Sequence, residues 1–126
     1  MNIEIYSDLI CPWCYIGKRR MQAALKLLGK DFTPKIVWRP FQLNPDMPLE
    51  GMNRKTYRTK KFGSWERSME LDAKVVAVGE TEGILFAFGR IERTPNTLDA
   101  HRLICLAEKE GIQDAVVEAL FLAYFT

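Results

Sequence analysis

The sequence predicts an α/β protein: a β-α-β start followed by a large helical segment. Three observations carry that expectation. The first residues alternate apolar and polar. A Cys-x-x-Cys pair then opens an amphipathic helix that leads into a second apolar strand. Beyond that strand, most of the chain repeats a helical period.

Ile3 and Ile5 alternate with Asn2 and Glu4, and Tyr6 follows, which reads as a short strand. Ser7 and Asp8 lead into Cys11-Pro12-Trp13-Cys14. Pro12 suits a first helical turn, where its missing N–H is no loss. Met21, Ala24, Leu25 and Leu28 then recur at helical spacing, with Lys18, Arg19, Gln22 and Lys26 on other faces. Gly29 is the expected stop. Pro34 to Phe41 is rich in β-branched and aromatic residues and reads as a second strand, with Pro40 at its end or edge. Pro45, Pro48 and Gly51 make residues 42–53 a loop.

Residues 54–62 read as helical, with Arg54, Lys55, Arg58, Lys60 and Lys61 expected on a solvated face. The alternative role for that cluster is attraction of an anionic thiol such as glutathione. Ser64 can cap a helix to about Val78, with Trp65, Met69, Val75 and Val76 buried and Gly79 and Gly83 ending it. Ile84 to Ile91 is apolar and aromatic but broken by Gly89, so an extended or turn-like path is expected. Trp65, Phe86 and Phe88 are expected in the core rather than in a substrate groove. Asn96 or Thr97 can cap a helix to Lys109, and Asp99 suits its positive end. Gly111 stops it, and Gln113 to Phe125 forms a last, largely apolar helix.

The chain has 126 residues, 48% apolar and 27% charged, a composition that suits one folded domain and excludes general disorder. A net charge of +2 argues against nucleic acid or an anionic membrane as partner. No apolar run reaches the roughly 18 residues of a membrane span. The N-terminus has neither the basic nor the apolar region of a signal peptide, so a cytoplasmic location is expected. The 3 cysteines, Cys11, Cys14 and Cys105, do not describe a disulfide-stapled scaffold.

Cysteines at i and i+3 on a helix N-terminus can close a small disulfide ring and exchange it with another thiol. Unpaired N–H groups and the helix dipole stabilise a thiolate at such a position. Thiol pKa values there fall from roughly 8.5 to about 3.5–7.5. Cys11 is the expected exposed nucleophile and Cys14 the shielded resolving thiol, with Trp13 covering the pair. The competing chemistry is a zinc site, because His101 and Cys105 share a helix face and complete a Cys3His set with Cys11 and Cys14. A strand, then Cys-Pro-x-Cys, then a long amphipathic helix favours redox work. Cys105, in the run Leu103 to Ala107, is expected to be a buried small hydrophobe.

Ser7-Asp8-Leu9-Ile10-Cys11-Pro12-Trp13-Cys14-Tyr15-Ile16-Gly17 resembles the active-site opening of DsbA-family thioredoxin-fold proteins. Trp38-Arg39-Pro40-Phe41-Gln42-Leu43-Asn44-Pro45 and Arg93-Thr94-Pro95-Asn96-Thr97-Leu98-Asp99-Ala100-His101-Arg102-Leu103 resemble the FrnE-like branch, related to 2-hydroxychromene-2-carboxylate isomerases. The resemblance implies a thioredoxin-like domain whose N-terminal half is residues 1–42, followed by a helical insertion over residues 43–126. It implies thiol–disulfide oxidoreductase work on protein or small-thiol substrates by Cys11 and Cys14. No metal or nucleotide is required, and glutathione is a possible co-substrate. Asn96 and Thr97 are expected as caps and His101 as a structural or half-exposed histidine, with a cleft-lining role for the three, which the motif's position in the family implies, as the alternative. Isomerase and kappa-class glutathione transferase relatives carry serine where this chain has Cys11, which favours disulfide exchange over glutathione-dependent isomerisation. The family fold also has two further strands, a closing helix and a cis-proline facing the cysteines, and no proline follows Pro95. The chain therefore resembles a truncated member, a partial domain, or a half that completes itself as a homodimer.

Overall fold

In the computed structural model, which describes residues 1–126, β1 (Asn2–Ser7) and β2 (Lys35–Pro40) pair in parallel, from Asn2 opposite Lys35 to Ser7 opposite Pro40. The crossover between them is α1 (Pro12–Leu28). Pro12 occupies its first turn, and Gly29 ends it with a φ of 80° that a β-carbon would disfavour. Beyond β2 the chain forms α2 (Arg54–Phe62), α3 (Trp65–Thr81), α4 (Leu98–Lys109) and α5 (Gln113–Phe125). The Asn53 side chain accepts from the Thr56 N–H and that of Ser64 from the Arg67 N–H, so α2 and α3 start where side chains replace missing backbone partners. A two-residue antiparallel pair, β3 (Met52–Asn53) with β4 (Arg93–Thr94), closes the loop around α2 and α3. Gly51 is needed there: a β-carbon would stand 2.5 Å from the Thr94 carbonyl oxygen.

One core joins the strands to the helical segment. Leu9, Tyr15, Ile16 and Trp38 pack with residues of α3, α4 and α5. Tyr15 stacks on Phe121 at 4.8 Å between ring centroids, and Phe86 meets Phe125 edge-on at 5.2 Å. Gln113 ties α5 to β2 by accepting from the Trp38 N–H at 2.7 Å and donating to the Trp38 carbonyl at 3.0 Å. A side chain thus satisfies backbone groups that an edge strand would leave bare.

Five expectations are corrected. The stripe Met21, Ala24, Leu25, Leu28 is not the buried face of α1; Tyr15, Ile16 and Lys18 are, and Leu27 is 89% exposed. The bonds from α5 reach only the first turns of α1, and in its second half Met21 and Leu25 are half-buried while Ala24 and Leu28 are exposed. Lys18, expected outside, is 3% exposed and bonded to Glu118 at 3.0 Å and Asp114 at 3.3 Å. Arg54, expected on a solvated face, is buried and paired with Asp72 at 2.9 Å. Gly79 does not end α3 but lies inside it, where the Phe86 ring occupies the place of a β-carbon. Met69 is exposed, and Ile84 to Ile91 follows an irregular path with a single 3-10 turn at Phe88–Arg90. Phe86 is core, as expected.

Candidate active site

The turn from β1 into α1 builds the site. The Cys11 N–H donates to the Asp8 carbonyl at 3.1 Å and the Cys14 N–H to the Cys11 carbonyl at 3.1 Å. Cys11 is therefore the N-cap, with extended φ and ψ of −92° and 107°, and Cys14 lies one turn into the helix. Both are free thiols and both are half-buried, so exposure does not separate them as the spacing suggests. Access does. Cys11 lines a cleft of about 320 Å³ together with Ile10, Pro12 and Trp13, and Cys14 does not.

The two thiols shift each other's titration. Cys11 donates to Cys14, which draws the Cys14 thiol down to about 6 against the opposing effect of burial. The Asp8 N–H and the Ser7 hydroxyl help, while the Asp8 charge works the other way. Cys11, as donor in that bond and partly buried, is held well above the ordinary thiol range. The N–H groups of Cys14 and Trp13 pull Cys11 in the opposite direction. The two thiols titrate as a linked pair, and transfer of the Cys11 proton to Cys14 would leave Cys11 as the thiolate facing the cleft.

This arrangement predicts the titration of the reduced protein. Cys11→Ala removes the donor, so the remaining thiol should titrate well above about 6, towards the ordinary roughly 8.5. Cys11→Ser keeps a hydroxyl donor and should retain most of the depression. Ultraviolet thiolate absorbance against pH distinguishes the two variants.

Beneath the pair lies Asp8, 1% exposed. Its Oδ1 accepts from the Leu9 N–H at 2.8 Å and lies 3.1 Å from His101 Nε2; its Oδ2 accepts from the Leu43 N–H at 2.8 Å. Burial opposes its charge, but His101, Leu43 and the Thr97 hydroxyl outweigh that, and the Asp8 carboxyl sits below the usual carboxylate range. Asp8 thus gathers the β1 end, the loop after β2 and the start of α4. Its one local signal in the sequence is a carboxylate three residues before the cysteine pair.

Thr97, the N-cap of α4, and His101 are buried behind Asp8, and Asn96 donates to the Met47 carbonyl at 2.7 Å and accepts from the Leu98 N–H at 2.9 Å. None of the three lines the cleft that Cys11 faces. That wall instead comes from α2 and α3, through Arg54, Tyr57, Arg58, Lys61 and Asp72. Cys105 is exposed on α4, not buried, because it lies on the face of α4 turned from the core residues Ile104 and Ala107. The four residues of the alternative zinc set are not gathered, and no group of three or more His, Cys, Asp or Glu residues is arranged to hold a metal ion. No helix is long and apolar enough to cross a membrane.

Comparison with known proteins agrees with this architecture. Residues 2–126 match the family described as DSBA-like thioredoxin domain. The crystal structure of the probable DsbA oxidoreductase SCO1869 from Streptomyces coelicolor superposes with a TM-score of 0.88 at 32% identity, over 99% of this chain and 54% of that one. The uncharacterised Bacillus subtilis (strain 168) protein YwbO is 32% identical over 78 residues, 62% of this chain and 36% of that protein. The chain thus spans about half the length of the solved relative and matches about a third of the curated one. With its β1-α1-β2 start, its helical segment and a family match along nearly its whole length, the chain belongs to the DsbA-like thioredoxin-domain family.

Proposed function

We propose that this chain carries the redox pair of a thiol–disulfide oxidoreductase of the FrnE-like branch, with Cys11 as nucleophile and Cys14 as resolving thiol. The observation that carries this reading is the geometry of the pair: two free thiols at the start of α1, with only the first on the cleft wall. The Cys11 thiolate attacks one sulfur of a substrate disulfide. A Cys11–substrate disulfide forms, and the other substrate sulfur leaves as a thiolate that takes up a proton. Cys14 then attacks the Cys11 sulfur, closing the Cys11–Cys14 disulfide and releasing the second substrate thiolate. The substrate gains two electrons and the pair loses them; run backwards, the same steps oxidise a dithiol. Pro12 starts the helix that presents Cys11, and Trp13, half-exposed at the mouth, bounds the approach. Protein disulfides and small thiols, glutathione among them, are the substrates this chemistry accepts, and it needs no metal.

Trapping tests the assignment of roles. Cys14→Ala cannot resolve, so after incubation with a disulfide such as insulin it should accumulate a mixed disulfide at Cys11, visible by intact mass. An adduct at Cys105 instead, or none at all, would sink the proposal.

A further inference from the structure

The cleft beside Cys11 has an unusual charge balance. Arg54 and Arg58 lie one helical turn apart on α2 and both reach Asp72 on α3, each at 2.9 Å, one to each carboxylate oxygen. One carboxylate therefore serves two guanidinium groups. Arg54 is 5% exposed, so the surplus positive charge is held in a largely desolvated wall. Lys61 and Lys74 line the same cleft, and Asp72 is its one acidic residue. The phenol of Tyr124 adds no compensating charge. Tyr57 donates to Asn44, and burial pushes Tyr124 up to about 12, so it stays neutral.

The guanidinium donors are not used up. Each has five N–H groups. Arg54 gives one nitrogen to Asp72, and Arg58 gives one to Asp72 and one, at 2.6 Å, to the Ser68 hydroxyl. The remaining nitrogens have no protein acceptor, yet they are not sealed from solvent. Planar guanidinium forks with free N–H groups match a carboxylate. Leu43, Phe62, Leu71 and Val75 complete the walls and suit the carbon skeleton of a small molecule. The volume, about 320 Å³, is at the small end of ligand sites.

We propose that this cleft is a carboxylate-binding subsite, formed by Arg54, Arg58 and Lys61, that selects disulfides carrying negative charge close to the S–S bond. The inference rests on the redox reading of Cys11 and names its substrate class. The carboxylate sits on the α2 wall while one sulfur faces Cys11, and the exchange step itself is unchanged. The carboxylate can belong to a free small disulfide or to an acidic residue beside a peptide disulfide.

Single-turnover oxidation of the reduced protein tests this, using dithiodipropionate, hydroxyethyl disulfide and cystamine as anionic, neutral and cationic probes. Each rate is divided by that of a simple thiol with the same disulfide, which removes intrinsic reactivity. The anionic probe should exceed the neutral one by about tenfold at low salt, with the cationic probe slowest and the spread shrinking as salt rises. Arg58→Gln should narrow the spread. Because Arg58 also braces Asp72, exposed Lys61→Gln repeats the test without that risk to folding. A matched pair of disulfide peptides, with acidic or basic flanks, separates the sources. A preference seen only among the peptides assigns the site to acidic segments, and one seen among the small probes assigns it to free disulfides. Equal normalised rates for all probes, with hydroxyethyl disulfide still reacting, would overturn the subsite and leave the redox proposal standing. Failure of hydroxyethyl disulfide to react at all would overturn both.

Discussion

Cys11→Ser should reduce disulfide exchange by at least about 10³-fold, the scale on which loss of a covalent nucleophile acts. Insulin reduction in the presence of dithiothreitol, followed by turbidity, gives the measurement. The loss cannot be blamed on the fold. Serine is a favoured N-cap and position 11 is the N-cap of α1, where the present residue makes no side-chain cap bond. The variant should therefore melt at or above the wild-type temperature while turning over no substrate. Cys14→Ser should fail differently, because Cys11 keeps the N–H groups of the first turn and still reacts once. Catalysis that survives Cys11→Ser would transfer the nucleophile to Cys14 or Cys105 and reverse the proposed roles.

The β-α-β start was legible because its signals are local. Alternation marks β1, Pro12 and Gly29 bracket α1, and Ser64 marks the start of α3. What the sequence hid depends on partners far along the chain. Lys18 is buried because Asp114 and Glu118, about a hundred residues on, meet it across α1 and α5. Periodicity could only place it off the apolar stripe, and that stripe is itself only partly covered. Arg54 and Arg58 followed the same pattern: five cations in a short helix suggest a solvated face, yet Asp72 draws two of them into the cleft wall. Their i, i+4 spacing, which puts both on one face, was the one local hint. The cysteine pair needed no such context, since its chemistry is written in adjacent residues. The cleft it faces, built from α2 and α3, did.

Asp8 links stability to reactivity, and its removal should have the largest effect on the fold. Asp8→Ala leaves His101 buried without its acceptor and strips the Leu9 and Leu43 N–H groups of theirs. Leaving buried donors without an acceptor in this way costs about 1–3 kcal/mol for each group. Asp8→Asn keeps an amide oxygen in place and should cost less. Denaturant midpoints at neutral pH measure both. The folded carboxyl is depressed, so its contribution is present above the unfolded value of roughly 3.9 and is lost as pH falls through the lower folded value. The wild type should therefore lose stability below about pH 4, and Asp8→Asn should lack that part of the slope. The same variant has a second signature. The Asp8 charge raises the Cys14 thiol, whereas the backbone N–H that lowers it survives the substitution. Asp8→Asn should then bring the first thiol proton below about 6 even as the fold weakens. A merely structural aspartate would weaken the fold and leave the thiolate titration where it was.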